Sequence, residues 1–418
     1  MVAGIRGDWF RLKLLFSPKI AEIRQFCSNE GPAGDCFWLL DMFLLLSGIR
    51  SNATSKWIGE RTVRYSVNGL FIYQSIIAIL HLIYAFKNDN NELLGIVFHT
   101  MKASGLFVAG AKVSLVAYFE TSIANVRNIV AGNRIFSGDD TYDKLEQKQF
   151  NQSARKMMRV LYALLIIDAI FLCIPCAATK KLFTLPPPLL RAGPFLSSVL
   201  YVSSAQLLVL GAVPKFFSNM ACIGTLIIGM RMRLKILAHR WECILNYPIE
   251  SLKFYFERMD REVRTVVDQQ MEYCRQLQTL KNLVEKSFFI VHYYSLYSIG
   301  SCFFVARELG LNVLTGVIYA SVFAYLLKHY LWCHLVDSLQ DVADTIGDVI
   351  YVHCAQMPYS REYHAQYVQL KASLMIIWFN TINGVSIQCM GMLNISTATF
   401  VDLINIIYSV LTFLINLA

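Results

Sequence analysis

What this 418-residue sequence has least of is charge: 16% of its residues are Asp, Glu, Lys or Arg. A soluble protein of this length carries about a quarter and divides into two or three domains. With 56% apolar residues as well, the chain is excluded from the disordered, collagen-like and ordinary cytosolic classes. It also lacks a disulfide framework. Its 11 cysteines are odd in number and scattered, and none falls in a segment assigned below to the outer side of a membrane. Cys173 and Cys176 form a C-I-P-C spacing, but inside an apolar run with no second pair and no histidine, so they read as small packing residues. No secretory leader is expected, since the amino-terminal segment is basic and interrupted by Pro18. The eight histidines show no paired metal-ligand spacing and no nucleophile motif occurs. No catalytic site, metal or cofactor is therefore expected. The absence of any internal repeat argues against a secondary transporter.

What is present is a series of long apolar runs. Crossing a bilayer takes about 20 mostly apolar residues, and runs of this kind lie at 66–86, 93–118, 160–178, 195–225, 287–306, 311–327 and 398–418. The stretch 36–49 is too short and carries Asp41, so it reads as an interfacial or packed helix. The stretch 373–393 holds Asn380, Asn383, Gly384, Ser386 and Gln388, too polar for a lipid-facing helix, and reads as protein-buried. The expected fold is all-α, a polytopic membrane protein with seven transmembrane helices.

Basic residues orient it, because cytoplasmic loops are enriched in Lys and Arg. Of the 38 Lys and Arg, 30 fall in the amino-terminal segment and alternate loops, against five in the remaining loops. The amino terminus is expected inside and the carboxyl terminus outside. The net charge of +9 is then mostly a cytoplasmic excess, which excludes a nucleic-acid partner. The sequons at Asn52 and Asn151 fall on the cytoplasmic side and should be unmodified.

Two cytoplasmic stretches are patterned as amphipathic helices. One carries Leu252, Tyr255, Phe256, Met259, Val263, Val267 and Met271; the other carries Leu335, Leu339, Val342, Ile346 and Ile350. Their apolar faces need burial, either across an oligomer or within one chain. In the last apolar run, Asp402, Asn405, Ser409, Thr412 and Asn416 recur at helical spacing and form one polar stripe. Lipid cannot satisfy such a stripe. It faces either a neighbouring helix or a cation pathway on a symmetry axis, where Asp402 would concentrate cations and Phe413 and Leu417 would form a hydrophobic constriction. Lys102 and Asp168 are expected at similar depth in the membrane, paired with each other as a structural bridge or with one of them on a ligand.

The carboxyl end, Leu393, Ser396, Thr399-Phe400, Tyr408-Ser409 and Leu414, together with LWCHLVDSLQDVADTIGDVIY at 331–351, resembles the insect odorant receptor family. That resemblance implies a ligand-gated, nonselective cation channel in the plasma membrane of sensory-neuron dendrites. It implies a heterotetramer of an odorant-binding subunit with a shared co-receptor, in contact with membrane lipid and conducting monovalent and divalent cations. The chain lacks the co-receptor's long insertion between spans four and five and departs from its ending at Asn416, Leu417 and Ala418, so it resembles a ligand-tuning subunit. Without a Gln-Phe in the last helix, a gustatory-type homomeric channel is the second expectation. On the family's pattern the regions are 1–65 cytoplasmic with an interfacial helix, 66–230 spans one to four, 231–286 cytoplasmic extensions, 287–327 spans five and six, 328–393 anchor helices and 394–418 the pore-lining helix. The same pattern implies that a volatile odorant meets Phe98, His99, Met101, Asp168, Phe171, Leu172, Phe195, Ser198, Tyr201, Val202, Gln206, Tyr297, Tyr319 and Phe323, an apolar set with a few hydrogen-bonding groups.

Overall fold

The computed structural model describes residues 37–50, 58–87, 93–132, 134–173, 185–191, 193–246, 251–310 and 313–416. Within them the helices are α1 (Phe37–Leu46), α2 (Ile58–Lys87), α3 (Leu93–Tyr118), α4 (Glu120–Ala131), α5 (Asp140–Cys173) and the one-turn α6 (Pro187–Leu190). They continue as α7 (Pro194–Tyr201), the one-turn α8 (Leu208–Gly211), α9 (Val213–Leu245), α10 (Leu252–Leu309), α11 (Val313–Gln356), α12 (His364–Val385) and α13 (Thr397–Asn416). Among these residues the departure from helix is a two-stranded antiparallel hairpin before α13, β1 (Gln388–Cys389) with β2 (Leu393–Asn394). Asn52 and Cys176 lie outside the described residues.

Apolar length selects the helices suited to a bilayer. Gly59–Lys87, Leu93–Tyr118 and Leu252–Leu309 are each long and apolar enough to cross one, and Pro194–Gln206 with Leu208–Leu245 make a fourth, bent by 47°. Phe37–Leu46 and Thr397–Phe413 are shorter apolar helices. Along α2, Ile72, Ile76, Ile79, Ile83 and Phe86 are exposed, one stripe at alternating spacings of four and three. A continuous apolar stripe with no protein over it suits hydrocarbon rather than water.

The core is built around α9, whose first half is buried on nearly every side, and which packs against α1, α3, α4, α5, α10 and α11. Two glycines let neighbours come close: a Cβ at Gly224 would lie 2.7 Å from Met157 Sδ, and one at Gly229 2.5 Å from Val130 Cγ1. Two cations on α9, Lys215 and Arg233, are met by carbonyls at the ends of other helices, while Lys235 and Arg240 pair with Glu146 and Glu262. Lys215 Nζ donates to Ser47 O and to Asn68 Oδ1, both at 2.6 Å, while Asn68 Nδ2 donates to Gly48 O at 3.1 Å. Gly48, at φ 77°, ends α1 in the left-handed conformation that glycine adopts without strain. Arg233 donates to Val130 O at 2.7 Å, to Ile135 O at 3.2 Å and to Gly132 O, closing the carboxyl end of α4, where a cation is favoured.

Segment 36–49 is thus packed: Phe37, Leu40, Phe43 and Leu44 are buried in the main core. Asp41 lies buried on α1 and accepts two hydrogen bonds from Arg127 at 2.7 and 2.9 Å. Beyond the apolar segments, α10 and α11 continue without a break and α12 packs back along both. The side of α10 bearing Tyr255, Phe256, Met259 and Val263 is buried, whereas Met271 is 64% exposed. Polar contacts tie these extensions together: Trp241 Nε1 donates to Gln270 Oε1 at 3.2 Å, Gln270 Nε2 to Thr381 Oγ1 at 2.5 Å and Lys281 Nζ to Gly384 O at 2.6 Å. Tyr255 OH and His353 Nε2 stand 2.9 Å apart, joining the start of α10 to the end of α11.

Two outcomes follow for the detergent-solubilised protein. Ala for Gly in an open helix interior gains about 0.5–1 kcal/mol, so Gly69→Ala, whose Cβ meets nothing within 4 Å, should hold or raise the melting temperature. Gly229→Ala must displace Val130 and should cost about 1–3 kcal/mol, read as a lower melting temperature. The second outcome concerns pH. Burial holds His353 below its ordinary value of 6.5, so the unfolded chain takes up this proton first. Stability should therefore fall as pH drops below 6.5, and His353→Gln should reduce that slope.

Candidate functional site

Near the Leu93 end of α3, the residues Leu94, Val97 and Met101 pack against Ile299, Cys302 and Val305 of α10, Ile318 and Val322 of α11, and Ile407 of α13. Met101 Sδ lies 3.7 Å from Cys302 Sγ. One turn further along α3, Gly105 lets the helix approach Tyr294, whose hydroxyl would stand 2.8 Å from a Cβ at that position. Four helices, α13 included, therefore meet at one apolar cluster.

Behind this cluster three rings form a triangle. Phe216 of α9 lies 5.8 Å from Tyr294 of α10 and 5.8 Å from Tyr325 of α11, and the two tyrosines are 6.1 Å apart. Edge-to-face rings at such spacing attract beyond the area they bury. Lys112 of α3 and Lys328 of α11 both place Nζ over the Phe216 ring, at 3.6 and 4.0 Å from its centroid. Both are enclosed, 0% and 4% exposed.

The helix entering this region is broken for local reasons. A π-turn at Val202–Gln206 joins α7 to α8, and Pro214 stands in the first turn of α9. Each removes regular backbone pairing. Side chains of α2 take up freed carbonyls: Tyr73 OH donates to Leu200 O and Gln74 Nε2 to Ser203 O, both at 3.1 Å.

The residues singled out from the sequence fall into several places. Phe98 is buried beside His99, and His99 stacks on His81 of α2 with centroids 5.1 Å apart. Lys102 is half-buried, three residues beyond His99 on the same helix. Met101 belongs to the four-helix cluster. Tyr297 is half exposed, 6.3 Å from Tyr294, and Tyr319, also half exposed, leans on Phe303. Phe323 is exposed, as are Ser198, Val202 and Gln206, and Phe195 is 81% exposed; Tyr201 is half buried. The side chains of Asp168, Phe171 and Leu172 lie outside the described residues, and so does Leu417. The structure therefore brings Met101 into the packed cluster but leaves the α7 residues on the surface of the single chain. Lys112, Lys328, Phe216, Tyr294, Tyr325 and Gly105 had not been singled out; the signal for the lysines was a charge within or bordering an apolar run.

On α13, Asp402, Asn405, Ser409, Thr412 and Asn416 are all exposed, as is Phe413. Ser409 and Thr412 return their hydroxyl protons to Asn405 O and Tyr408 O of their own helix at 2.9 Å, which makes the stripe less polar than its composition. The start of α13 is held from α11: Asp337 Oδ2 accepts from Thr397 N–H at 2.7 Å, a carboxylate at a helix amino terminus. Ser396 precedes the helix, and its Oγ accepts from Thr399 N–H at 3.4 Å. Phe400 packs on His329 and Tyr330 of α11, with centroids 6.3 and 5.5 Å away.

With this geometry the chain is similar to the insect olfactory receptor OR5 from Machilis hrabei, with a TM-score of 0.69 and 12% sequence identity over 91% of this chain and 97% of that receptor. The same receptor in complex with eugenol gives a TM-score of 0.68 at 12% identity, over 91% and 98% of the two chains. No family model matches the sequence, and no curated protein matches it. The likeness shows an insect olfactory receptor-like, predominantly α-helical fold.

Asp337→Ala should raise hydrogen exchange at the first-turn amides of α13 about tenfold, because a hydrogen bond to a charged acceptor contributes about 1.5 kcal/mol. Asp337→Asn, which keeps an acceptor, should raise it less. Equal exchange in wild type and the alanine variant would remove the role given to Asp337.

Proposed function

We propose that the chain is an odorant receptor subunit. It binds a volatile, largely hydrophobic small molecule in the outer half of the bundle and gates a nonselective cation channel as a heterotetramer with the shared co-receptor. The observation that carries this reading is the fold likeness over 91% of the chain to a receptor also solved with eugenol. The asymmetry of basic residues, 30 against five, supports an inside amino terminus, seven spans and an extracellular carboxyl terminus. The exposed polar stripe of α13 supports its use as the pore lining, since Asp402, Asn405 and Asn416 face outward and lipid cannot satisfy them.

Coupling runs through rigid elements. A ligand seated against Met101, Tyr294 and Cys302 bears on α10 and α11, and α11 is continuous from Val322 to Asp337. A small tilt of α11 at the ligand therefore moves the carboxylate and the rings that hold the base of α13. Asp402, just inside that base, would draw cations to the inner mouth, while Phe413 would narrow the opposite end. The expected setting is the plasma membrane of sensory-neuron dendrites, with lipid around the bundle and monovalent and divalent cations as the conducted species. No cofactor, catalysis or nucleic acid enters the scheme.

The test is current recording from cells expressing the chain with and without the co-receptor, across an odorant panel. Current should follow ligand concentration, reverse near zero and require the co-receptor. No current despite surface expression would overturn the reading, and current without the co-receptor would favour the homomeric gustatory type. In responding cells, Gly105→Ala should shift the half-maximal concentration by about tenfold or more, since a positional change of about 1.4 kcal/mol is tenfold. Adding Tyr294→Phe, which removes the clashing hydroxyl, should recover part of that shift.

A further inference from the structure

We propose that Lys112 and Lys328 form an anion-binding site inside the bundle, taking one monovalent anionic group: the carboxylate of an acidic ligand, which rests on the ligand-site reading above, or an inorganic halide. The two side chains come from different helices, are enclosed at 0% and 4% exposure and meet over one face-bearing ring, Phe216. Their amino groups stand 3.6 and 4.0 Å from the centroid of that one ring, which makes the two cations close neighbours. Two ammonium groups in contact repel, and each has also lost its hydration. Phe216 and Tyr294 attract a cation through their ring faces, but the Phe216 carbonyl, 3.5 Å from Lys112 Nζ, is a marginal acceptor.

Lys215 shows how this fold satisfies a buried lysine. It sits on the same helix as Phe216 with two acceptors at 2.6 Å. Lys112 and Lys328 have no comparable set, and no ion pair between either and a carboxylate is found among the described residues. The polar groups of this region are neutral and able to donate. Hydroxyls of Tyr294 and Tyr325 belong to the same cluster, and Asn219, on the same side of α9 as Phe216, is fully buried with both amide atoms unpartnered among the described residues. Two enclosed cations side by side, with hydroxyls that can donate and no carboxylate paired to either lysine among the described residues, are complementary to an acceptor that carries negative charge.

The test is an anion titration of the solubilised full chain, at fixed pH and ionic strength in methanesulfonate, read as melting temperature. Chloride or hexanoate should raise it by about 2–4 °C near saturation, and hexanamide, the neutral isostere, should not. A shift with chloride alone identifies an inorganic anion; a shift with hexanoate identifies a ligand carboxylate. No shift with either overturns the site, as does a shift that survives in Lys112→Met/Lys328→Met. Lys328→Met alone, which removes the repulsion and spares the fold, should weaken anion affinity at least tenfold, whereas exposed Lys148→Met should leave it unchanged. The titration needs no current. A positive shift in a chain silent in recordings would overturn the channel reading and not the anion site, and currents without any shift would do the reverse.

Discussion

Enclosing α9 on every side is the constraint that orders the rest of the molecule. A helix whose first half is apolar nearly all round loses most by being left at a surface, and this one also carries the buried Lys215 and Arg233, whose charges have to be met in place. Both are met by backbone carbonyls at the ends of neighbouring helices, groups that a helix terminus leaves without partners. One interaction thus satisfies two needs. It removes the cost of a buried cation and fixes where α1 and α4 stop against α9. Gly224 and Gly229 then set how closely α5 and α4 can approach.

Around that axis, long unbroken helices carry position from one end of the molecule to the other. At about 1.5 Å per residue, the 58 residues of α10 and 44 of α11 extend well past a bilayer. The apolar cluster near Met101 and the polar contacts near Gln270 and His353 are therefore parts of the same two rods. The base of α13 touches the second of these rods through Asp337 and Phe400. The break in α7 to α9 works the other way: a π-turn and a proline give that helix a bend.

Much of this was legible in the residues. The apolar runs at 66–86, 93–118 and 287–306 fall within helices of matching character because hydropathy over about 20 residues is a local property. The amphipathic face of Tyr255, Phe256, Met259 and Val263 is buried, as helical spacing implies. Met271, on the same repeat, is exposed, because burial needs a neighbour and none covers that turn. Ser396 and Thr399, which carried the family resemblance, turn out to start α13, a role set by three residues of local sequence. Asp41 marked 36–49 as unlike a span, but that Arg127 pairs with it, 86 residues away, is written in no local pattern.

By itself the sequence determined what each segment must avoid: which stretches shun water, which faces need covering, and which helix carries a polar stripe that lipid cannot meet. These follow from side-chain chemistry and helical period alone. The tertiary structure decided which groups meet. Lys215 finds two acceptors while Lys112 and Lys328 share the ring of Phe216, although all three read alike as charges within or bordering apolar runs. The difference arises because partners for a buried charge come from distant helices, and only their packing sets a distance of 2.6 Å for one lysine and a shared ring for the other two.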